Sequence, residues 1–427
     1  MLIHTSDLHI GCAMSVHPFL GKAYIDVLEE IAEKAVGLDA RTLVVAGDMF
    51  DKAVLDNYDL LIRSIKILRN LRDNGKEIVV VPGNHDNSRY RKGILELLDE
   101  SGLIRLLRYE ELSGWMISLP LLVDNVVYYG IPGFRGGKEI EYIDQGKVRF
   151  KGINGKGDRH DTVVVAHMSV KFSGFDPASY HHRYGKLSIK GDDLLAKLPS
   201  NTKYVALGHI HMPIPLEKAF KSNIAYSGAP LGMDLNDMEE TYELAKKGIS
   251  RRVLLIDLSH EPPLVKALEL DNVPKVALIE SSHINVNDLL IEVNSKVKDM
   301  SNEYKVFIVR ARSIQLPDAR LHREIAEMEN RYKVMIRVRS GRSMGIASAL
   351  LGEGPVIDVH VTGDSIFEIE KKIVKEILSR QGLSSMVDKA MWLIDQLSLP
   401  KSSEPDETYY RRLLDEILRE MKEVIEK

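Results

Sequence analysis

The sequence predicts an α+β fold with its functional residues gathered at one edge of a sheet. Through the first 270 residues, short apolar runs rich in β-branched residues alternate with stretches whose apolar residues recur every three or four positions. The first pattern indicates buried strands and the second indicates amphipathic helices. Five of the apolar runs lead directly into loops that start with Asp, Asn or His. Because ligand sites of sheet proteins lie where strands end, we expect these loops to meet at one rim.

The five strand-to-loop junctions follow one another along the chain. They are Leu2-Ile3 into Asp7-Leu8-His9, Leu43–Val45 into Gly47-Asp48-Met49-Phe50-Asp51, Ile78–Val81 into Gly83-Asn84-His85-Asp86, Val163–Val165 into His167, and Tyr204–Leu207 into Gly208-His209-Ile210-His211. Helices are predicted over 56–74 and 93–107, where apolar residues keep helical spacing. A strand over 253–258 is expected to be the last of this region, because Glu261-Pro262-Pro263 follows it as a break.

Length and composition limit the class of protein. At 427 residues the chain is too long for one compact core, which predicts two or three domains. A net charge of -4 is that of an ordinary soluble protein, so nucleic-acid contacts would have to come from local basic patches. The single cysteine, Cys12, excludes a disulfide framework and a thiolate-rich metal site and fits a reducing compartment. No apolar segment reaches the length of a membrane span and no signal peptide pattern opens the chain, so we expect a cytoplasmic protein.

Four segments are predicted along the chain. Residues 1–270 form the main domain, 271–362 a smaller α/β unit, 363–400 a helical segment, and 401–427 a linker followed by a helix. The smaller unit is expected to have strands over 276–279, 306–309, 334–338 and 356–361, with helices near 286–298 and 318–330. The last helix either packs on its own domain or, because a flexible linker tethers it, lies in a groove of a partner.

The polar residues at the five junctions have the chemistry of a two-metal site. Carboxylates, imidazoles and one amide, without thiolates, suit Mn, Mg, Fe or Zn, and Mn tolerates this mixture best. The carboxylate of Asp48 follows a glycine on a tight loop and could bridge two cations. Asp7/His9 and His209/His211 are i, i+2 pairs that place both side chains on the same side of an extended segment. Two cations roughly 3.5 to 4 Å apart clamp a phosphate and activate a water, which predicts phosphate ester hydrolysis.

A second pair of residues could assist that reaction. His85 follows Asn84 directly and would reach the site from the same turn, where an imidazole can donate a proton to a leaving group. Asp51 could hold this imidazole in its working tautomer and raise its pKa. Both residues are therefore predicted to be catalytic.

The order of these motifs resembles the calcineurin-like metallophosphoesterase superfamily. Within it, Ser6–Gly11, Ala46–Asp51, Pro82–Asp86 and Ala206–His211 are similar to the meiotic recombination eleven/SbcD nucleases of double-strand-break repair. The resemblance implies a four-layer αββα sandwich, a smaller α/β capping domain and a C-terminal helical tail. Two positions depart from related patterns: Lys52-Ala53 stands where the protein-phosphatase branch has Arg-Gly, and 226–231 only loosely resembles the family's Pro-Gly-Ser loop.

The resemblance also implies residue roles, a cofactor and partners. One Mn²⁺ would be held by Asp7, His9, Asp48 and His211, a second by Asp48, Asn84, His167 and His209, and His85 would be the catalytic histidine. The implied activity is Mn-dependent hydrolysis of DNA, as a 3′-to-5′ duplex exonuclease and a single-strand endonuclease with two Mn²⁺ per subunit. The implied partners are double- and single-stranded DNA, a second copy of the chain contacting through 56–74 and 93–107, and a coiled-coil ABC-type ATPase bound by the C-terminal helix. Such a protein would act at the nucleoid.

Basic segments could contact the DNA backbone without reading its sequence. The candidates are Arg89, Arg91 and Lys92, then Lys147, Arg149, Lys151, Lys156 and Arg159, with Arg337, Arg339 and Arg342 further along. Charge runs are more often solvated faces, and the remaining histidines 4, 17, 160, 181 and 182 are expected to be structural.

Two other functions are compatible with these motifs. One is a metallophosphodiesterase of small nucleotides, which would need neither a second domain nor a tethered helix. The other is a scaffold that kept the fold and lost the chemistry. A scaffold should have lost several ligands, whereas every motif position is filled here.

Overall fold

The computed structural model describes residues 1–38, 40–54, 58–87, 93–152, 160–180, 184, 187–283, 285–311 and 319–340. All of them belong to the first of the two compact units into which the chain divides, Met1–Glu353. Several predictions lie outside the described residues: the strand over 356–361, the segments 363–400 and 401–427, and Arg89, Arg91, Lys92, Lys156 and Arg159. Of the described helices, none is long and apolar enough to cross a membrane.

Strands and helices alternate through most of the described chain. The strands are β1 (Leu2–Thr5), β2 (Thr42–Ala46), β3 (Glu77–Val81), β4 (Arg105–Leu106), β5 (Tyr109–Leu112), β6 (Trp115–Ser118), β7 (Leu121–Val123), β8 (Val126–Ile131), β9 (Val148–Phe150), β10 (Asp161–His167), β11 (Val170–Lys171), β12 (Ile189–Lys190), β13 (Thr202–Gly208), β14 (Ala219–Lys221), β15 (Ile224–Tyr226), β16 (Arg252–Asp257), β17 (Leu264–Glu269), β18 (Val276–Ser281), β19 (Val306–Ala311) and β20 (Met335–Ser340). The helices are α1 (Gly21–Gly37), α2 (Tyr58–Asp73), α3 (Ile94–Glu100), α4 (Lys138–Asp144), α5 (Pro177–Tyr180), α6 (Gly191–Leu195), α7 (Leu235–Lys246), α8 (Val286–Met300) and α9 (Ala319–Tyr332).

Two mixed sheets carry the five predicted junctions. The first has the order β14-β17-β16-β1-β2-β3-β4, with β1 to β4 parallel and β16, β17 and β14 antiparallel to their neighbours. The second has the order β15-β13-β10-β8-β7, in which only β7 runs antiparallel. The parallel strands are almost entirely apolar and buried, as expected for strands that are covered on both faces.

The two sheets pack face to face, with helices outside each of them. Val44 and Val79 of the first sheet lie in one apolar cluster with Val163 and Val165 of the second, which is the core between the sheets. Since neighbouring residues of a strand point to opposite faces, Val45 packs in a different cluster, with α1, α2 and α3. The outer face of the second sheet packs against α4, α6 and α7. The order of layers is therefore helix, sheet, sheet, helix, and the predicted α+β class is confirmed.

The helix predicted over 93–107 was too long. It ends at Glu100, after which the chain turns through Gly102, whose φ of 72° is in the left-handed region. Leu103 and Ile104 continue the apolar spacing but pack in the core from this turn, and β4 follows. The apolar run reflects burial on both sides of a turn, not one continuous helix.

The strand predicted over 253–258 is present as β16, but it is not the last of its region. The Glu261-Pro262-Pro263 break is the connection of a hairpin, and β17 returns antiparallel to β16. Pro263 supplies a carbonyl to the Ser222 amide at 3.1 Å, which ties this turn to the neighbouring edge of the sheet. A proline break in the sequence marks the end of a strand but does not tell whether another strand follows.

A parallel sheet of β18, β19 and β20 makes up the smaller unit, with α8 and α9 as its crossovers. These elements agree with the three strands and two helices that the sequence predicts in the described part of this segment. One face of this sheet packs with α8 and α9. The other face, through Val306, Ile308 and Met335, joins the cluster that contains α1. The smaller sheet is thus packed directly against the main one.

Candidate metal centre

The five junctions meet at the carboxyl ends of the parallel strands, as the sequence predicts. The loops after β1 and β2 are joined along their backbones, because the Asp7 amide donates to the Gly47 carbonyl and the His9 amide to the Asp48 carbonyl, both at 3.0 Å. The loop after β13 is joined to the first by the His209 amide, which donates to the Asp7 carboxylate at 3.0 Å. Residues from both sheets therefore line one site.

One group of ligand atoms forms around His9 and His211. Their Nε2 atoms face each other at 3.1 Å. The His211 Nε2 lies 3.8 Å from Oδ1 of Asp7, and the His9 Nε2 lies 3.8 Å from Oδ2 of Asp48. Asp7, His9 and His211 each offer a ligand atom within 4.8 Å of the others. That spacing suits one cation.

A second group forms around His167. Its Nε2 lies 3.2 Å from Oδ2 of Asp48 and 3.1 Å from Oδ1 of Asn84. The same Asn84 oxygen lies 3.1 Å from Nδ1 of His209. Oδ2 of Asp48 is thus the atom near both the His9 and the His167 rings, which is the position of a bridging ligand.

The loops that present these residues have an unusual backbone. Asp7, His9, Asp48 and His209 have φ values of 54°, 44°, 50° and 90°. Positive φ is uncommon for residues with a side chain and costs on the order of 1–3 kcal/mol each. Backbone conformations of this cost are maintained by the surrounding structure and concentrate at functional sites.

Glycine is required at two positions next to these ligands. Gly47 has a φ of 87°, and a Cβ there would overlap the His167 ring. A Cβ on Gly83 would overlap the carboxylate of Asp48. The glycines of the Gly-Asp and Gly-Asn motifs therefore allow the strand-end loops to approach each other closely.

The protonation states favour binding of a cation. Burial lowers the pKa of His9 and of His209 to about 3, so both rings are neutral and carry a free lone pair. Burial alone would raise the pKa of Asp48, but the charge and hydrogen bond of His167 hold it well below its usual range. Asp7 and Asp48 are at most 2% exposed, and burial of carboxylates is costly without a compensating charge.

The donor set fits divalent metal ions. Nδ1 of His9 and Oδ1 of Asp51 are buried without a hydrogen-bond partner among the described residues. The Nδ1–H groups of His167 and His211 are directed to Ala46 O at 2.9 Å and Asp237 Oδ2 at 2.8 Å, so each Nε2 faces the site with its lone pair. Facing lone pairs repel each other unless a cation lies between them.

His85 lies beside this centre and is paired with Asp51. Its amide donates to Oδ1 of Asp48 at 2.8 Å, and its ring Nδ1 lies 3.0 Å from the carbonyl and 3.3 Å from Oδ1 of Asp51. Burial lowers the pKa of His85, but the Asp51 hydrogen bond and the Asp48 charge outweigh this effect and raise it to about 9. The ring is 31% exposed, so a substrate can reach it. The structure brings the predicted pair together, and its catalytic role stays a prediction.

Asp237 is a residue of the site that the sequence does not reveal. Its carboxylate accepts the His211 ring proton and also the Met233 amide, at 2.7 Å. It lies in the first turn of α7, where Asp234 caps the helix by accepting from the Asn236 and Asp237 amides. The capping pattern of Asp234 indicates a helix start, but no local signal indicates that Asp237 faces a histidine 26 residues earlier.

A buried arginine fixes α7 to the metal loops. Arg251 is 2% exposed and donates to the His211 carbonyl at 2.6 Å, the Asp237 carbonyl at 2.7 Å and the Thr241 hydroxyl at 2.9 Å. Its guanidinium also lies 3.4 Å from Glu240. The backbone around His211 and Asp237 is therefore held by one charged group.

The smaller sheet is tied to the same helix by ion pairs. Glu239 of α7 pairs with Arg310 at 3.0 Å and with Arg339 at 3.1 Å. Arg337 pairs with Glu329 at 2.7 Å. Arg337 and Arg339, suggested by the sequence as DNA contacts, thus make ion pairs within the protein.

The remaining predicted DNA contacts that the structure describes lie on and beside β9. Lys147, Arg149 and Lys151 are exposed, and the Arg149 guanidinium lies 3.9 Å from the centre of the Trp115 ring. His4, predicted to be structural, is buried between the Tyr204 hydroxyl and the Leu207 carbonyl. Burial lowers its pKa to about 3, consistent with a neutral structural histidine.

The sequence matches known proteins over the same region. Residues 1–213 match the calcineurin-like phosphoesterase family. The chain is 27% identical over 302 residues to the DNA double-strand break repair protein Mre11 of Saccharolobus solfataricus, an alignment covering 69% of this chain and 71% of the relative. It is 23% identical over 383 residues to Mre11 of Aeropyrum pernix, covering 83% of this chain and 85% of the relative. With the SbcD component of the nuclease SbcCD of Bacillus subtilis it shares 26% identity over 275 residues, covering 60% and 66%.

These similarities and the ligand geometry lead to the same assignment. The strand-end motifs matched by the family are the residues that the fold brings together around Asp48. The chain belongs to the calcineurin-like phosphoesterase family and, within it, to the Mre11/SbcD type.

Proposed function

We propose that this protein is the nuclease component of a DNA double-strand-break repair complex and hydrolyses DNA phosphodiester bonds with two Mn²⁺ per subunit. The observation that carries the proposal is the position of Asp48, whose Oδ2 lies 3.8 Å from the His9 ring and 3.2 Å from the His167 ring. A carboxylate between two sets of neutral ligands is what a pair of cations requires. The names of the relatives, which include Mre11 proteins and a component of the nuclease SbcCD, support DNA as the substrate.

The ligands would divide between the two ions as the geometry groups them. Asp7, His9 and His211 would hold one ion, Asn84, His167 and His209 the other, and Asp48 both. When bound, two such ions supply a hydroxide at neutral pH and neutralise the phosphate charge. Mn²⁺ is the ion that best tolerates this mixture of carboxylate, amide and imidazole ligands.

His85 would transfer the proton. Its raised pKa keeps the ring charged at neutral pH, with Nδ1–H directed to Asp51. Nε2 then carries the proton that the leaving oxygen needs when the phosphodiester bond breaks. Asp51 acts through His85 as a positioning residue, because it fixes the ring orientation and stabilises the charged form.

The wider assignment follows the family. We propose 3′-to-5′ exonuclease action on duplex ends and endonuclease action on single strands, at the nucleoid in the cytoplasm. Lys147, Arg149 and Lys151, with Arg89, Arg91, Lys92, Lys156 and Arg159, would contact the DNA backbone. Residues 271–362 would serve as the capping domain, and a second copy of the chain would pair through 56–74 and 93–107.

The C-terminal helix would bind the coiled-coil ABC-type ATPase of the complex. The apolar residues between 410 and 425 keep the spacing of a helix that lies in a groove, after a linker rich in Pro and Ser. Removal of residues 404–427 should weaken the association with the ATPase at least about tenfold in a pull-down titration, while Mn-dependent nuclease activity is kept. Unchanged association would show that the helix packs on its own domain.

The central test is digestion of end-labelled duplex DNA with Mn²⁺ or Mg²⁺. We expect Mn²⁺ to support shortening from the 3′ ends, and Asp48→Ala to abolish it together with binding of both ions. Hydrolysis of bis-p-nitrophenyl phosphate without any cleavage of DNA would identify a phosphodiesterase of small nucleotides instead. Full two-ion binding by Asp48→Ala would contradict the bridging role.

A further inference from the structure

A small cleft opens beside the metal ligands. It has a volume of about 270 Å³, and Asn84 and His209 form the wall that it shares with the metal centre. Arg135, Gly136 and Leu187 line it on the side away from these ligands. The volume is just below the roughly 300 Å³ at which pockets for drug-sized ligands begin, so the cleft fits one nucleotide unit and not a duplex.

The loop 133–137 forms one side of the cleft and rests directly on the metal loops. The Gly133 amide donates to the Pro82 carbonyl at 2.9 Å, and the Asn87 side chain donates to the Gly133 carbonyl at 3.0 Å. A Cβ on Gly133 would overlap the His167 ring. The position of this loop is thus fixed relative to the site where a scissile phosphate would bind.

Glu139 holds the loop from its other end. Its Oε2 accepts the Phe134 amide at 3.0 Å, and the side chain is buried. Gly136 and Gly137 have φ values of 82° and 74°, so the turn between Phe134 and Glu139 needs glycine for its left-handed backbone. Arg135 therefore projects from a turn that is held at both ends.

Arg135 has no salt bridge or hydrogen bond from its side chain to any described residue, and it is exposed. The neighbouring cation differs: Lys138 lies 3.4 Å from Glu111 and 4.7 Å from the centre of the Tyr142 ring. An unpaired arginine at the mouth of a cleft beside a phosphoester site is suited to a second phosphate, because its fork of donors matches phosphate oxygens. The exposed side chain of Leu187 offers an apolar surface for a sugar or base.

We propose that this cleft binds the nucleotide adjacent to the scissile phosphate and that Arg135 holds the phosphate on the far side of that nucleotide. The site would thereby select nucleic-acid strands over isolated phosphodiesters. This inference rests on the proposed function, since it assumes that the metal centre hydrolyses a phosphodiester.

Two chromogenic substrates that differ only in the flanking phosphate test it. They are the p-nitrophenyl ester of thymidine 5′-phosphate and the same ester with a phosphate on its 3′-oxygen, both assayed with Mn²⁺ on the full chain. We expect kcat/KM to be at least about tenfold higher for the second ester, as one charge-assisted hydrogen bond predicts. Arg135→Ala should reduce this ratio to about one, and Arg135→Lys should retain part of it.

Arg41→Ala is the matched control. Arg41 is exposed and precedes β2, at the end of the sheet opposite to the metal loops, so the ratio should stay as in the wild type. Equal ratios in the wild type and Arg135→Ala would overturn the subsite and leave the proposed function standing. If the wild type hydrolyses neither these esters nor bis-p-nitrophenyl phosphate, the proposed function fails and the subsite with it.

Discussion

The carboxylate of Asp237 accepts the Nδ1 proton of His211 at 2.8 Å. A carboxylate behind a histidine fixes the tautomer, so that Nε2 is free to bind a metal, and it raises the basicity of the ring. The same carboxylate accepts the Met233 amide, and Arg251 holds the carbonyl groups of both His211 and Asp237. Helix α7 thus sets the orientation of a ligand that lies on a different sheet.

Asp237→Asn should weaken Mn²⁺ binding about 10- to 100-fold, the usual effect of losing a carboxylate partner behind a metal-binding histidine. Isothermal titration calorimetry of the full chain measures it. Asp193→Asn, an exposed change on α6, serves as the control and should bind as the wild type does. Unchanged affinity in Asp237→Asn would show that His211 does not depend on this contact for its orientation.

His85→Gln should lower kcat for DNA cleavage by about 10² to 10⁴, because it removes a proton donor. Binding of both Mn²⁺ ions should be kept, since His85 is not among the proposed ligands. Calorimetry and an end-labelled DNA assay on one preparation separate the two effects. Loss of one ion in this variant would make His85 a ligand, and normal cleavage would exclude it from catalysis. His260→Gln, which changes an exposed histidine, is the control.

The pH dependence of cleavage should report the charged form of His85. Its raised pKa means that the ring is protonated below about pH 9 and loses its proton as the pH rises through that value. We therefore expect kcat to fall on the alkaline side, near pH 9. In Asp51→Asn the carboxylate that raises this pKa is absent, so the fall should move toward the ordinary imidazole value of about 6.5. An alkaline limb at the same pH in both proteins would exclude this pairing as its cause.

Glu139 should make the fold less stable as the pH rises. Burial raises its pKa from 4.5 to about 7, so the folded protein binds a proton between these values that the unfolded chain has released. The corresponding loss of stability is on the order of 3 kcal/mol between about pH 4 and about pH 8. Glu139→Gln keeps an oxygen for the Phe134 amide and should remove this part of the loss, measured by urea unfolding at both pH values. Glu141→Gln, exposed on the same helix, should follow the wild type. Parallel curves for both variants would contradict the buried state of Glu139.

Much of the site could be predicted from the sequence because each ligand follows its own strand. The carboxyl ends of parallel strands meet at one edge, so Asp7, Asp48 and Asn84 had to be neighbours once the strands were recognised. The lengths of local elements were harder to predict. The apolar spacing after Leu98 continues across a turn at Gly102, and β17 follows a proline break. Burial patterns of this kind do not separate a helix from a turn that is packed on both sides.

The amino-acid sequence alone determined the class of fold, the residues that can bind metal and their order along the chain, since these depend on local periodicity and on side-chain chemistry. Only the tertiary structure decided which residues support them. Asp237 behind His211, Arg251 across α7 and Arg135 at the edge of the cleft owe their positions to packing between distant segments. Such contacts arise from the way that helices and sheets stack on each other, and short-range sequence patterns carry no information about it.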